Sequence, residues 1–240
     1  MIGLGLVLAS SLLTARQPGP PPRDTLADLP LIPVEAPPGP LIAVLLTGDG
    51  GWSAGDRSLA AAFVSRDVAV VGFNSAKYLM QARTADEAAG DLARVLQLYL
   101  PAWHRERALI VGYSRGADIG PFMVSRLPRA LRERVVLVTL LGPGALASFK
   151  DGLLDVFHAH AAKGVAVTSA VARLRGTPVL CIYGTHDAGA ICPSLGEAGL
   201  ARSVPRTGGH VIHGSEGPAL VNTILTSLKA VPARPASSPS

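Results

Sequence analysis

The chain has 240 residues, 48% of them hydrophobic, with a positive mean hydropathy and a formal charge of +5. That length is enough for one domain with a sizeable core, and the composition excludes a disordered chain. Lys and Arg are scattered rather than clustered, which excludes a nucleic-acid patch and leaves a mildly basic protein whose charge also suits an anionic membrane surface.

Residues 1–15, MIGLGLVLASSLLTA, are apolar and end in small residues. They are too short for a transmembrane helix and read as a signal segment with Ala15 as its last residue. The usual basic n-region is missing, which leaves the true start open, and there is no lipobox cysteine. The expected location is the periplasm. Residues 16–40 carry Pro18, Pro20, Pro21, Pro22, Pro37, Pro38 and Pro40, the composition of an extended linker or an edge segment. One domain is expected over 41–230, followed by a tail, 231–240, whose Pro, Ala and Ser predict disorder.

Short continuous apolar runs recur at Leu41–Leu46, Val68–Phe73, Ala108–Val111, Val135–Leu141 and Val179–Tyr183. Their length and lack of alternation predict strands buried on both faces. Thr84–Leu100 reads as a helix, with Thr84 and Glu87 as a capping box and Leu92, Val95, Leu96 and Tyr99 along one side. Arg115–Leu127, stopped by Pro128, and Pro218–Leu228 read as two more. Strand–helix alternation predicts an α/β fold with a mostly parallel sheet. Residues 145–176 fit the alternation least and are read as a small lid or a long crossover.

The strongest local signal is Gly112-Tyr113-Ser114-Arg115-Gly116. It follows an apolar strand and opens a helix, the context of a nucleophile elbow. A serine nucleophile needs a base, and the base needs a carboxylate, in chain order Ser, acid, His. Asp187, on the loop after the run at 179–183, is the candidate acid. His210, after Gly208-Gly209, is the candidate base, with His213 on the same loop as the alternative. The oxyanion needs two backbone N–H donors. One is expected from Arg115. The other is expected from the Gly-rich loop Thr47–Trp52, at Asp49 or next at Gly50. That loop matches neither phosphate-binding glycine pattern, so a nucleotide is not expected. No HExxH or spaced Cys/His set is present, and His158 and His160 read as part of a solvated helix, so neither metal nor other cofactor is expected. Cys181 and Cys192 are close enough to pair across a short loop, and equally readable as two buried thiols.

These segments resemble the VirJ family, which includes the AcvB virulence proteins. The likeness rests on GDGGW at 48–52 with the later Asp56, FNSAKY at 73–78, ARTADE at 82–87, VGYSRGAD at 111–118 with Pro121-Phe122, CIYG at 181–184 with Cys192, and GGH at 208–210. It spans about residues 41–228. The resemblance implies a periplasmic α/β hydrolase with Ser114, Asp187 and His210 as catalytic residues and a Cys181–Cys192 disulfide. It implies an aminoacylated phospholipid as substrate, notably lysyl-phosphatidylglycerol, or a partnership with type IV secretion proteins in virulence. A general carboxylesterase would use the same residues. Such a lipid carries positive amines, so Asp49, Asp56 and Asp118 are candidate substrate-binding carboxylates. The chain departs from the family where His-His often follows the glycine pair: here it is His210-Val211. Larger members carry a further N-terminal domain.

Overall fold

The computed structural model describes residues 26–150, 164–174 and 176–230. The expected signal segment, the first part of the Pro-rich stretch, the C-terminal tail, and the middle of the 145–176 crossover with His158 and His160 lie outside the described residues.

The described part of the Pro-rich stretch supplies β1 (Leu31–Val34), and the first apolar run supplies β2 (Leu41–Leu46). After the Gly-rich loop comes α1 (Ala54–Val64), which opens with a reciprocal capping box: the Ser53 hydroxyl accepts from the Asp56 N–H and the Asp56 carboxylate accepts from the Ser53 N–H. β3 (Ala69–Phe73) and the short α2 (Ser75–Leu79) follow. α3 (Ala85–Ala102) starts at the Thr84–Glu87 capping box read from the sequence. β4 (Arg107–Tyr113) then runs through Ser114 into α4 (Arg115–Ser125), which stops short of Pro128. A turn of helix, α5 (Arg129–Arg132), leads to β5 (Val135–Leu141). The poorly alternating crossover contributes a small hairpin, β6 (Leu146–Ala147) with β7 (Val165–Ala166), and a short α6 (Val167–Val171). The chain ends in β8 (Val179–Gly184), α7 (Cys192–Glu197), β9 (Arg202–Arg206) and α8 (Gly217–Lys229).

Seven strands form one sheet in the order β1-β3-β2-β4-β5-β8-β9. All neighbours are parallel except β1, which lies antiparallel on β3 as an edge strand. Both edge strands contain a proline, Pro33 in β1 and Pro205 in β9. Successive residues of a strand face opposite sides, and the core divides accordingly. Ile42, Val44, Leu46, Ala108 and Ile110 pack with α3 and α4 on one side. Ala43, Leu45, Leu109 and Val111 pack with Leu59 and Phe63 of α1 and Leu220, Val221 and Ile224 of α8 on the other. Each large aliphatic side chain buried this way contributes about 1.5–3 kcal/mol. The continuous apolar runs follow from this double burial.

The strand order reverses between β2 and β4: from β2 the chain steps outward to β3, then returns to the other side as β4. Their connecting helices cover opposite faces, which opens a crevice beyond the carboxyl ends of β2 and β4. The Gly-rich loop and Ser114 leave the sheet at that crevice.

The amino ends of the strands are tied by an unexpected residue. Arg105 is 5% exposed, and its guanidinium donates to the carbonyls of Ala36, Pro37, Gly39 and Asp67. Backbone N–H groups of Glu106 and Arg107 serve the Pro40 carbonyl, and the guanidinium serves those of Ala36, Pro37 and Gly39.

Candidate active site

Ser114 sits between β4 and α4 with φ 52° and ψ −120°, a conformation that L-residues rarely adopt and that stores strain. The positions two residues to either side must be glycine. A Cβ on Gly112 would lie 2.6 Å from the Cα of Ala117, and one on Gly116 would lie 2.6 Å from the carbonyl carbon of Leu46. Helix and strand therefore meet closely enough to raise the serine above the sheet.

His210 and Asp187 come to this serine from two later loops. His210 Nε2 lies 2.8 Å from Ser114 Oγ, and His210 Nδ1 lies 2.7 Å from Asp187 Oδ2. A carboxylate can only accept, so Nδ1 carries the proton and Nε2 is left to accept from the serine hydroxyl. Asp187 is 9% exposed at its side chain and His210 43%, so the carboxylate is sheltered while the imidazole faces the solvent-accessible crevice. The backbone N–H of His213 donates to Glu216 Oε2 at 2.6 Å. Of the two histidines, His210 is the one hydrogen-bonded to Ser114.

The loops are shaped by residues that no motif announced. Gly142, at φ +59°, passes beside the pair, and a Cβ there would lie 3.1 Å from His210 Nδ1 and 3.3 Å from Asp187 Oδ2. The Tyr113 ring stacks on the imidazole at a centroid distance of 5.8 Å, and its hydroxyl accepts from the Ile212 N–H. Arg206 donates to the carbonyls of Gly209, His210 and Val211 and pairs with Glu216. The Cys181–Cys192 disulfide links β8 to the first residue of α7, closing the segment that carries Asp187.

The Gly-rich loop lies against the serine: a Cβ on Gly48 would sit 3.1 Å from Ser114 Cβ. Asp49 is ion-paired with Arg115. The two residues expected to supply the oxyanion N–H groups are thus joined by their side chains, across the gap between the β2 loop and α4.

The three carboxylates expected to meet an amine differ. Asp49 remains exposed beside Arg115. Asp118, on the first turn of α4, accepts from the Gly144 N–H at 2.7 Å, and burial pushes its pKa up to about 6 despite that hydrogen bond and the Arg115 charge. Asp56 is withdrawn from an incoming substrate. It is 1% exposed and capped by Ser53, and burial raises its pKa against those hydrogen bonds. The Ser-x-x-Asp spacing at 53–56 is the signal that identifies it as the carboxylate partner in a capping box.

A cavity of about 980 Å³ lies at the opposite, amino-end edge, lined by Pro38, Arg66, Arg107, Pro178 and Lys229 among others. No histidine among the described residues lines it. Among the described residues no helix is long and apolar enough to cross a membrane.

A family model described as bacterial virulence protein (VirJ) matches residues 40–231. The chain belongs to the VirJ family. No curated protein matches this VirJ chain in sequence. Solved structures do match it in shape. Est1E from Butyrivibrio proteoclasticus, with ferulic acid bound, superposes with a TM-score of 0.59 at 13% identity, over 85% of this chain and 96% of that one. The thioesterase domain from the curacin biosynthetic pathway gives 0.57 at 13%, over 81% and 94%. The Pyrococcus furiosus esterase Pf2001 gives 0.57 at 11%, over 84% and 91%. These likenesses show the fold: the VirJ chain is an α/β-hydrolase fold.

Proposed function

We propose that this chain is a serine hydrolase that cleaves esters through an acyl-enzyme, and that its substrate is the aminoacyl ester of an aminoacyl-phosphatidylglycerol, such as lysyl-phosphatidylglycerol, at the periplasmic membrane surface. The observation that carries the reading is the continuous hydrogen-bonded line from Ser114 Oγ through His210 to Asp187. Nothing in the packing of the core requires these three polar side chains to meet on an open crevice. The lipid and the location rest on the family resemblance, and the disulfide suits an oxidising compartment.

The proposed hydrolysis runs in two halves. His210 Nε2 takes the Ser114 proton as Oγ bonds to the ester carbonyl carbon, and Asp187 stabilises the resulting imidazolium. The N–H groups of Asp49 and Arg115 hold the oxyanion. Collapse breaks the ester bond, and the imidazolium returns its proton to the departing alcohol of the lipid. Water then gives a proton to His210 and its oxygen to the acyl carbon. A second collapse frees the amino acid and restores the Ser114 hydroxyl. In this scheme Asp118 receives the ammonium of the aminoacyl group, one helical turn from the nucleophile.

Release of free lysine from lysyl-phosphatidylglycerol, compared between wild type and Ser114→Ala, tests the reading. We expect release by wild type and a loss of about a thousandfold or more in the variant. A folded wild type that reacts with a fluorophosphonate but releases no lysine would remove the lipid and leave a general esterase. Absence of both would overturn the hydrolase. The Asp118 role has its own signature. The ratio of kcat/KM for an aminoacyl ester to that for a neutral ester should rise with pH through about 6, where Asp118 ionises. The ratio cancels the titration of the shared base, and Asp118→Asn should flatten it.

A further inference from the structure

His210 reaches Ser114 from a loop with little backbone order of its own. The loop between β9 and α8 contains Gly208, at φ +116°, and Gly209, and forms neither strand nor helix. Such a segment is intrinsically free to wander, yet it must hold an imidazole in hydrogen-bond register with two partners at once.

The geometry points to Arg206 as the positioning residue for the base. Its Nη2 donates to three successive carbonyls, Gly209 at 2.6 Å, His210 at 3.3 Å and Val211 at 3.0 Å. Its Nη1 meets Glu216 Oε1 at 2.7 Å. The loop therefore wraps around one guanidinium, planted on the last residue of β9 and anchored to the residue that opens α8. The other oxygen of Glu216 accepts from the His213 N–H, so the same ion pair also closes the far end of the loop. A planar fork with several fixed donors can do this, whereas an ammonium, a single point charge, cannot bridge the carbonyls and the carboxylate in one geometry. Arg206 touches no reacting atom. It acts through the backbone of His210, and it rests on the hydrolase reading only for what the positioned imidazole goes on to do.

Two readouts separate positioning from mere stability. The first is the far-downfield proton resonance of His210 Nδ1–H hydrogen-bonded to Asp187, which needs no turnover. The second is hydrolysis of 4-nitrophenyl acetate by wild type, Arg206→Lys, Arg206→Met and Glu216→Gln, each with its thermal midpoint. Displacing a catalytic group by an ångström costs on the order of a hundredfold in rate. We therefore expect kcat to fall about a hundredfold in Arg206→Met and about tenfold in Arg206→Lys, with KM within about twofold of wild type. The downfield resonance should broaden or vanish in folded variants, and added guanidinium, kept below denaturing concentrations, should restore part of the Arg206→Met rate.

Retention of the resonance and of kcat in folded Arg206→Met would overturn the assignment. So would a loss of rate that only tracks the fraction unfolded and is not rescued by guanidinium. If Arg206→Met does not fold, Glu216→Gln, which leaves the guanidinium in place but removes the charge of its partner, decides by the same readouts. A wild type that shows the resonance but hydrolyses no ester would sink the hydrolase reading, while the resonance in the variants would still decide the role of Arg206.

Discussion

Two arginines mark the two ends of the sheet. At the amino ends, Arg105 gathers the carbonyls of Ala36, Pro37, Gly39 and Asp67. At the carboxyl ends, Arg206 gathers those of Gly209, His210 and Val211. In both places a loop rich in Pro or Gly presents carbonyls that no strand or helix can satisfy, and one guanidinium supplies the donors. The surroundings differ. Arg105 is buried, among the described residues hydrogen-bonds to carbonyls alone, and burial depresses its pKa against the charge of Asp67. Arg206 is partly exposed and paired with Glu216. The same wiring thus closes the protein at one end and aims a side chain at the other. The comparison teaches that a side chain's importance to fold or to chemistry is set by what its acceptors carry.

The contrast can be broken most sharply at Arg105. Each carbonyl left buried without a donor costs about 1–3 kcal/mol, partly offset by local rearrangement. Arg105→Met is expected to lose about 3 kcal/mol in urea unfolding while its kcat, per folded molecule, stays at the wild-type value. A large fall in kcat there would erase the distinction between the two ends. Next in size is the disulfide. Cys181→Ala with Cys192→Ala should cost about 2–3 kcal/mol through the freed loop of the unfolded chain, measured the same way. Gly142→Ala should cost only about 1–2 kcal/mol for its left-handed backbone, yet lower kcat well beyond that, because the methyl group would press on His210.

The smallest effect is a gain. Burial holds the Asp118 pKa near 6, above its ordinary 3.8. The folded chain therefore keeps a proton that the unfolded chain releases, and stability falls as pH rises between those values. Asp118→Asn should then be about 1 kcal/mol more stable than wild type above pH 6, with the difference fading as pH drops toward the ordinary value.

Much of this was legible in the sequence, for identifiable reasons. The five apolar runs became central strands because parallel strands covered on both faces leave no polar alternation to confuse the pattern. The elbow, the Asp187 loop and the Gly-Gly-His loop stood out because a strained turn and two close approaches admit few residue types. The borders of the sheet were only faintly legible. β1 lay within a Pro-rich stretch read as a linker or an edge segment, and β9, a weak strand around Val204, carries Arg202, Pro205 and Arg206, since edge strands need not be apolar. Asp56, grouped with the substrate carboxylates by its place near a Gly-rich loop, is the partner of the Ser53 cap of α1. Arg105 and Arg206 had no signature at all. A lone arginine forms no period, and the carbonyls it collects are set by loop conformation that only the folded chain displays.

The prolines at the two borders of the sheet have one more consequence. An open sheet ends in rows of unpaired backbone groups, which can recruit strands from neighbouring molecules. Pro33 and Pro205 each remove a donor from those outer rows, and neither β2 nor β4, at the centre, contains one. A second molecule laid along either border would find its hydrogen-bond ladder broken partway. The chain thus guards against growing into a shared, intermolecular sheet at the two places where its architecture would otherwise invite it.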